Sequence, residues 1–274
     1  MTLEIKDFYD SDTATYSYII SDSITNKAAI IDPVLNYDQY SGRISTNSAE
    51  ELITYLKNHH LKLEWILESH IHADHLTAAD YLRKKLGARI AIGCGIKQVF
   101  DYWQPIFNLE AENSFDEYLE DQQIISLGQL SIKVLHTPGH TPACVSFLIE
   151  DAVFVGDLIF MPDIGTGRTD FPGGSAHASY QSIMRIFALG DQVRVFTGHD
   201  YPPPERTPHS CSTVASQKQD NIVLNKNTLY AEFNANRQAR DRNKPVPKLL
   251  LPALQVNLKA GRYGHELKIP LNQI

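Results

Sequence analysis

Cysteine is scarce in this sequence, and its three cysteines, Cys94, Cys144 and Cys211, lie far apart. Disulfide-stabilised domains and zinc sites built from cysteine alone need more cysteines at close spacing, so both are excluded and a reducing compartment is expected. No apolar run approaches the ~18 residues that a membrane span needs. The first ten residues also lack the basic start and apolar run of a secretory signal. We therefore expect a soluble, cytoplasmic protein with no membrane partner.

Basic residues are in short supply as well, with 25 Lys and Arg against 32 Asp and Glu and a net charge of −7. A generic nucleic-acid binder would show a basic excess, so a nucleic-acid partner is not expected. Two segments depart from the average. Residues 98–132 contain no Lys or Arg and carry seven acidic residues between 101 and 121, which we interpret as a solvated connector. Residues 226–274 form a basic tail, with nine basic residues against three acidic ones.

The rest of the composition is that of an ordinary globular chain, 274 residues long and 43% hydrophobic. Strands are predicted at 3–9, 15–21, 27–34, 61–67, 89–92, 130–136, 143–149, 152–156 and 193–197. Helices are predicted from a capping box at Ser48 and at 74–86, 175–189, 213–223 and 228–240, with 245–252 extended. Strands and helices thus recur in two similar halves, which favours two packed sheets with helices outside. We expect one domain over residues 1–204 and a C-terminal extension, 205–274, packed on it.

The densest group of potential metal ligands follows the predicted strand 61–67. His70, His72, Asp74 and His75 fall within six residues, in the motif His-x-His-x-Asp-His. Histidine is the commonest ligand of transition metals, and a carboxylate adds the charge that holds a divalent ion. Three histidines and an aspartate on one loop are hard to explain as packing, so this loop predicts a metal site.

Further ligands are expected at the ends of other strands, because a site on the rim of a sheet gathers residues that are distant in sequence. His140, Asp157 and His199 each follow a predicted strand directly or through a short turn. Taken singly each is weak evidence, since an aspartate after a strand is usually a cap or turn residue. As an ordered set they predict that His70, His72, His140 and Asp157 cluster within a few Å, with Asp74, His75 and His199 adjoining. No serine triad or phosphate-binding glycine loop competes with this site.

This ordered set resembles the pattern of the metallo-β-lactamase superfamily. The motif at 70–75, the Gly-His turn at 139–140, Asp157 and His199 carry the resemblance, which covers roughly residues 3–201. It implies an α+β fold, a four-layer αββα sandwich, with a one- or two-metal site at the sheet rim. A helical or extended C-terminal tail would follow.

A finer resemblance is to the persulfide dioxygenases and the β-lactamase-like hydrolase group of sulfur dioxygenases. It rests on residues 69–79, 165–174, 198–201, 247–249 and 255–257, with further likeness at 32–38 and 41–43. In persulfide dioxygenases the first histidine of the motif, the Gly-turn histidine and the strand-end aspartate hold one Fe(II), which implies His70, His140 and Asp157 here. The same resemblance assigns the orientation of these ligands to the other four residues, namely His72, Asp74, His75 and His199. A full set of seven is equally able to hold two zinc ions in a hydrolase.

Two side chains near the implied metal are candidates for contact with a substrate. Arg168, in the Gly-rich stretch 164–174, either meets a substrate carboxylate or braces an acidic residue of its loop. Tyr201, two residues after His199, either aims its phenol at the open metal positions or only packs.

Three functions follow from the resemblance. The first is oxidation of glutathione persulfide, or a similar small-molecule persulfide, by O₂ to sulfite at one Fe(II), with the basic tail meeting the thiol's carboxylates. The second is thioester hydrolysis with one or two Zn(II), as in a glyoxalase II-like thioesterase. The third is a non-catalytic module that inherited the fold. Each of these three functions is compatible with a homo-oligomer.

Overall fold

The computed structural model describes residues 2–110 and 114–271, and this part of the chain forms fifteen strands and seven helices. The strands are β1 (Leu3–Asp10), β2 (Thr15–Asp22), β3 (Lys27–Ile31), β4 (Val34–Asp38), β5 (Arg43–Ser45), β6 (Lys62–Glu68), β7 (Leu76–Thr77), β8 (Arg89–Gly93), β9 (Glu117–Leu119), β10 (Ile124–Leu127), β11 (Leu130–His136), β12 (Val145–Ile149), β13 (Ala152–Phe154), β14 (Arg194–Phe196) and β15 (Cys211–Thr213). The helices are α1 (Asn47–Asn58), α2 (Ala79–Leu86), α3 (Ile96–Phe107), α4 (Ala176–Phe187), α5 (Val214–Asp220), α6 (Tyr230–Asp241) and α7 (Leu250–Asn257).

Two six-stranded sheets form the centre of the fold, in the orders β1-β2-β3-β6-β8-β9 and β10-β11-β12-β13-β14-β15. The alternation of side chains along β2 shows why they stack. Tyr18 and Ile20 point into an apolar core shared by both sheets, whereas Ile19 points into a second core under the outer helices. Every residue of β2 is therefore buried. The predicted αββα sandwich is confirmed, and a small third sheet, β5-β4-β7, adjoins it.

Three local predictions at element boundaries were wrong. The strand predicted at 27–34 stops at Ile31, because Asp32 takes a left-handed backbone conformation with φ of 50°. The helix predicted at 74–86 begins only at Ala79, since Leu76 and Thr77 pair with β4. The capping box at Ser48 does not form, because hydrogen bonds engage this hydroxyl with the side chains of Asn36 and Asp10.

The segment interpreted as an acidic connector is mostly structured. It contributes most of α3, together with β9 and β10, because Val99, Trp103 and Phe107 bury one face of that helix in the core. Acidic residues occupy the solvent side. Glu112, which was counted in this segment, lies outside the described residues.

The C-terminal extension forms part of both outer layers. Val214, Leu224 and Phe233 pack with α4 against the second sheet, whereas Leu250 and Leu254 pack against the first. The stretch 245–252, predicted as extended, enters α7 at Leu250. Pro252 lies in the first turn of α7, where no intrahelical N–H bond is lost. No helix in the described ranges is long and apolar enough to cross a membrane.

Candidate metal centre

All seven predicted ligands lie on loops at one rim of the sandwich. β11, β13 and β14 run in the same direction, as two antiparallel pairings and one parallel pairing show. The loops after these strands carry His140, Asp157 and His199, and the loop after β6 in the facing sheet carries residues 70–75. Strand direction therefore brings together residues that are more than a hundred positions apart in sequence.

A first group of three side chains converges on Asp157. The Nε2 atoms of His70 and His140 lie 3.9 and 3.7 Å from Asp157 Oδ2. One ligand atom from each of these residues lies within 4.8 Å of the others, and all three residues are buried. Two histidines and one carboxylate on one face are the donor set of non-haem iron sites that keep open positions.

Hydrogen bonds set the tautomer of both histidines in this group. The carbonyl oxygen of Arg168 lies 2.8 Å from His140 Nδ1 and is only an acceptor, so Nδ1 carries the proton. Ser69 Oγ donates to Asp32 Oδ2 at 2.7 Å and thus accepts from His70 Nδ1, at 2.9 Å. Both Nε2 atoms consequently present a lone pair to the centre.

These lone pairs fit a metal ion. Burial lowers the pKa of both His70 and His140, so both rings are neutral and able to coordinate. The Nε2 atom of His70 is buried and has no hydrogen-bond partner in the described part of the chain. A buried nitrogen lone pair with no hydrogen-bond partner is expected for a residue that coordinates a metal ion.

A second group, on the other side of Asp157, contains His72, Asp74, His75 and His199. His199 Nε2 lies 3.1 Å from Asp74 Oδ2 and 3.4 Å from Asp157 Oδ1. Within the described ranges, the Nε2 atoms of His75 and His199 and Oδ2 of Asp74 are also buried without hydrogen-bond partners. This group is therefore a second set of donors that fits a cation, and Asp157 stands between the two sets.

His72 is shared between this second group and two buried carboxylates. Its Nε2 atom lies 3.1 Å from Asp32 Oδ1 and 3.4 Å from Glu68 Oε2. Burial opposes a charge on the ring, but the two carboxylates outweigh it and raise the pKa of His72 well above its ordinary value. The ring centroid of His72 is 4.1 Å from that of His70, so the two rings are in contact.

Sequence reasoning did not assign a role to Asp32 or Glu68. A signal was present, because each carboxylate directly follows a run of buried apolar strand residues, Ala28–Ile31 and Trp65–Leu67. Charged residues in such places are almost never fully buried unless they are paired.

Arg168 braces its own loop. Its Nε and Nη2 atoms donate to the carboxylate of Asp170 at 2.6 and 2.7 Å, and Nη1 donates to the carbonyl of Pro245 at 2.9 Å. The guanidinium also lies 4.8 Å from the ring centroid of Phe171. Of the two expected roles, bracing an acidic loop residue is the one that these contacts support.

The loop around Arg168 is held from α6 by a buried ion pair. Asp241 accepts hydrogen bonds from the backbone N–H and the hydroxyl of Thr169, at 2.9 and 3.1 Å. Arg237, which is 1% exposed, donates to Asp241 at 2.5 and 3.0 Å and to the carbonyl of Thr166 at 3.0 Å. Sequence reasoning missed both residues, because an i,i+4 Arg–Asp pair on a helix usually lies in solvent.

Tyr201 lies beside the second group. Its ring stacks on that of His199, with 5.6 Å between the centroids and 9° between the planes. Although 48% of the residue is exposed, partial burial, followed by the nearby carboxylates of Asp74 and Asp157, raises the pKa of Tyr201. The phenol is therefore neutral and able to donate a hydrogen bond.

A cavity of about 740 Å³ opens over the centre. Its lining includes Asp74, His140, Asp157, Arg168 and Tyr201, and it extends to the β4–β5 hairpin on one side and to residues 244–249 on the other. Two cations of the basic tail, Lys244 and Lys248, face it, and their side chains form no ion pair or hydrogen bond within the described ranges. The cavity thus has space for a small molecule, and its lining combines these lysines with the carboxylates of Asp12 and Asp38.

The sequence matches a model of the metallo-beta-lactamase superfamily over residues 11–199. The protein Glyoxylase B2 of Dictyostelium discoideum is 44% identical, covering 99% of this chain and 98% of that protein. A "Beta-lactamase hydrolase-like protein" of Agrobacterium fabrum is 45% identical over 98% of this chain, which spans only 64% of that protein's length.

More distant similarity extends to proteins named ETHE1. The bovine mitochondrial "Persulfide dioxygenase ETHE1" is 28% identical, covering 94% of this chain and 88% of that protein. The crystal structure of ETHE1 from Myxococcus xanthus matches with a TM-score of 0.77 and 29% identity, covering 94% of this chain and all of that one. With a family model that spans most of its length, and with the fold and ligand order described above, this chain belongs to the metallo-β-lactamase superfamily.

Proposed function

We propose that this protein is a persulfide dioxygenase that oxidises the persulfide of a small anionic thiol, such as glutathione, with one Fe(II) per chain. The observation that carries the proposal is the separation of the ligands. His70, His140 and Asp157 make a complete three-ligand group, whereas the Nε2 atom of His72 is turned to two carboxylates. The similarity to ETHE1 proteins, one of which is named a persulfide dioxygenase, supports the same function.

Iron bound by two histidines and one carboxylate would supply redox chemistry at open positions that admit both O₂ and a sulfur ligand. The overall reaction converts persulfide, O₂ and water into thiol, sulfite and protons. The outer sulfur is oxidised, O₂ is reduced, and the bond between the two sulfur atoms breaks.

The protein's own groups bind and orient the reactants. Neutral His70 and His140 keep their Nε2 lone pairs aimed at the centre, because their Nδ1 protons are engaged elsewhere. Lys244 and Lys248 would attract the carboxylates of the thiol, because cations in the lining of a cavity raise the local concentration of an anion. Tyr201 offers a neutral phenol at the cavity wall, within reach of a polar group of the substrate.

A zinc-dependent thioesterase is the second candidate. It is favoured by the completeness of the second group around His199, and by Asp157, which lies between both groups as a bridging ligand would. The end-to-end similarity to Glyoxylase B2 points the same way. In this reaction zinc would lower the pKa of a water molecule for attack on a thioester carbonyl.

The deciding experiment compares iron-reconstituted and zinc-reconstituted protein in two assays, O₂ uptake with glutathione persulfide and hydrolysis of a glutathione thioester. Both metals are needed, because loading during expression follows metal availability as well as ligand geometry. We expect O₂ uptake by the iron form, with about one iron per chain, and no rapid hydrolysis by the zinc form. Rapid hydrolysis by the zinc form without O₂ uptake by the iron form would establish the second candidate instead.

Two variants sharpen this comparison. His140→Ala removes a ligand of the first group and should abolish O₂ uptake and iron binding. His75→Ala removes a member of the second group only, so it should retain about one iron per chain and part of the O₂ uptake. If His75→Ala lost iron as completely as His140→Ala, the one-metal assignment would be wrong.

A further inference from the structure

Asn257, in α7, is joined by three hydrogen bonds to the loop that carries the motif histidines. Its Nδ2 atom donates to the carbonyl oxygens of His72 and His75, and its Oδ1 atom accepts from the N–H of Thr77, each at 2.8 Å. The residue is 2% exposed and lies about 180 positions away from these partners in sequence. One side chain of the C-terminal extension thus spans the loop from its second histidine to its end.

The side-chain amide is suited to this position. Only asparagine and glutamine offer two N–H donors together with a carbonyl acceptor on one planar group. Two of the three bonds go to carbonyl groups of the loop before β7, outside any helix or strand, and the third goes to the N–H of Thr77 at the end of β7. The amide thus bonds loop carbonyls that secondary structure does not engage. The shorter of the two amide side chains fits because α7 and its end lie very close to the loop. A Cβ atom on Gly261 would come within 2.8 Å of the carbonyl oxygen of Thr77.

The contact is also coupled to the carboxylates beneath the centre. The hydroxyl of Thr77 donates a hydrogen bond to Glu68, and Glu68 lies 3.4 Å from His72. A shift of the loop at Thr77 would therefore disturb the surroundings of His72 as well as the direction of Asp74 and His75.

We propose that Asn257 is a positioning residue of the metal centre, which fixes the backbone of residues 72–77 so that the ligand side chains keep their directions. It lies outside residues 11–199, the part that the superfamily model matches. The C-terminal extension is then a working part of the centre in addition to covering the sheets. This inference concerns metal binding and holds whichever of the two reactions the protein catalyses.

The chain offers a matched control in the same helix. Gln255 is also a buried amide, 5% exposed, but its side chain bonds the backbone of Lys268 and the carbonyl of Leu251. Gln255→Ala therefore removes a comparable buried amide from α7 without touching the ligand loop. A merely structural role for Asn257 would make the two variants behave alike.

The test uses Co(II) as the probe on apo-protein of the wild type, Asn257→Ala and Gln255→Ala. Three quantities are measured: the Co(II) dissociation constant, the visible absorption of bound Co(II), and the Tm of the apo-protein. We expect both variants to lower Tm, but only Asn257→Ala to weaken Co(II) binding by about tenfold or more and to shift the absorption bands.

A second variant covers the case in which Asn257→Ala does not fold. Asn257→Asp keeps nearly the same shape and volume, and the acceptor for the N–H of Thr77, but has no N–H donor for the carbonyls of His72 and His75. It leaves no cavity and should also weaken Co(II) binding. Co(II) affinity and absorption within twofold of wild type in folded Asn257 variants, or equal losses in Gln255→Ala, would overturn the proposal. Neither outcome depends on persulfide or thioester turnover, so the proposed function is tested separately.

Discussion

The Nδ1 atom of His140 lies 2.8 Å from the carbonyl oxygen of Arg168, and this contact links a ligand of the centre to a loop held by α6. The next residue in that loop, Thr169, is bound by Asp241, which in turn pairs with buried Arg237. The orientation of the His140 ring therefore depends on an ion pair in the C-terminal extension.

Asp241→Asn should strongly destabilise the protein and weaken its metal binding. The substitution leaves the Arg237 guanidinium, 1% exposed, without its counter-charge. Removing one partner of a buried pair costs about 3–5 kcal/mol. We expect a fall of this size in the free energy of unfolding, measured with urea, and weaker Co(II) binding through the displaced His140.

The control for this prediction is Asp151→Asn, which breaks a bidentate pair with Arg194 that is roughly one-third exposed. Exposed pairs of this kind contribute about 0–1 kcal/mol. Equal destabilisation by the two variants would show that burial of the Arg237 pair has no special importance.

Lys248→Ala should weaken the binding of an anionic substrate. Lys248 lines the cavity without an ion-pair partner in the described ranges, so its charge is available to a carboxylate. We expect KM to rise about three- to tenfold at low salt with little change in kcat, and the difference to shrink as added salt screens the charge.

Lys226→Ala serves as the matched control, because this lysine is in the basic tail but does not line the cavity. Its KM should stay at the wild-type value. A similar rise in KM for both variants would mean that the net charge of the tail, rather than a particular side chain, attracts the substrate.

Asp80→Asn should reduce stability more at neutral pH than in acid. Burial opposes ionisation of Asp80, but hydrogen bonds from Lys84 and Arg83 outweigh it and hold its pKa below the ordinary value of 3.8. A carboxyl group with a lowered folded-state pKa stabilises the fold above its unfolded-state value. This contribution is lost as the pH falls through the folded-state pKa.

The measurement is the free energy of unfolding of the wild type and Asp80→Asn at pH 7 and near pH 3. We expect a difference of about 1 kcal/mol at pH 7, because Lys84 is largely exposed, and a smaller one in acid. Glu64→Gln, at a partly exposed pair with Lys27, should change stability little at either pH. A difference for Asp80→Asn that grew towards low pH would contradict the sign of this argument.

The sequence by itself determined the fold class and the composition of the centre. The motif at 70–75 lies on one short loop, so its residues are close whatever the rest of the chain does. The nine strands predicted from the sequence were readable because both faces of these sheets are covered, which leaves runs of apolar residues such as Ala28–Ile31. The short strands β4, β5, β7, β9, β10 and β15 were not predicted.

Only the tertiary structure decided how the ligands are grouped and held. Which carboxylate faces His72, which carbonyl orients His140, and which amide spans the ligand loop all depend on contacts between residues far apart in the chain. Asn257 lies in the segment 255–257, which carries part of the family resemblance, but that segment does not indicate what the side chain contacts, since an asparagine near a helix end is most often a cap. Its role exists because helix packing brings its amide to a loop whose backbone groups lack partners, and local sequence patterns contain no information on such distant pairings.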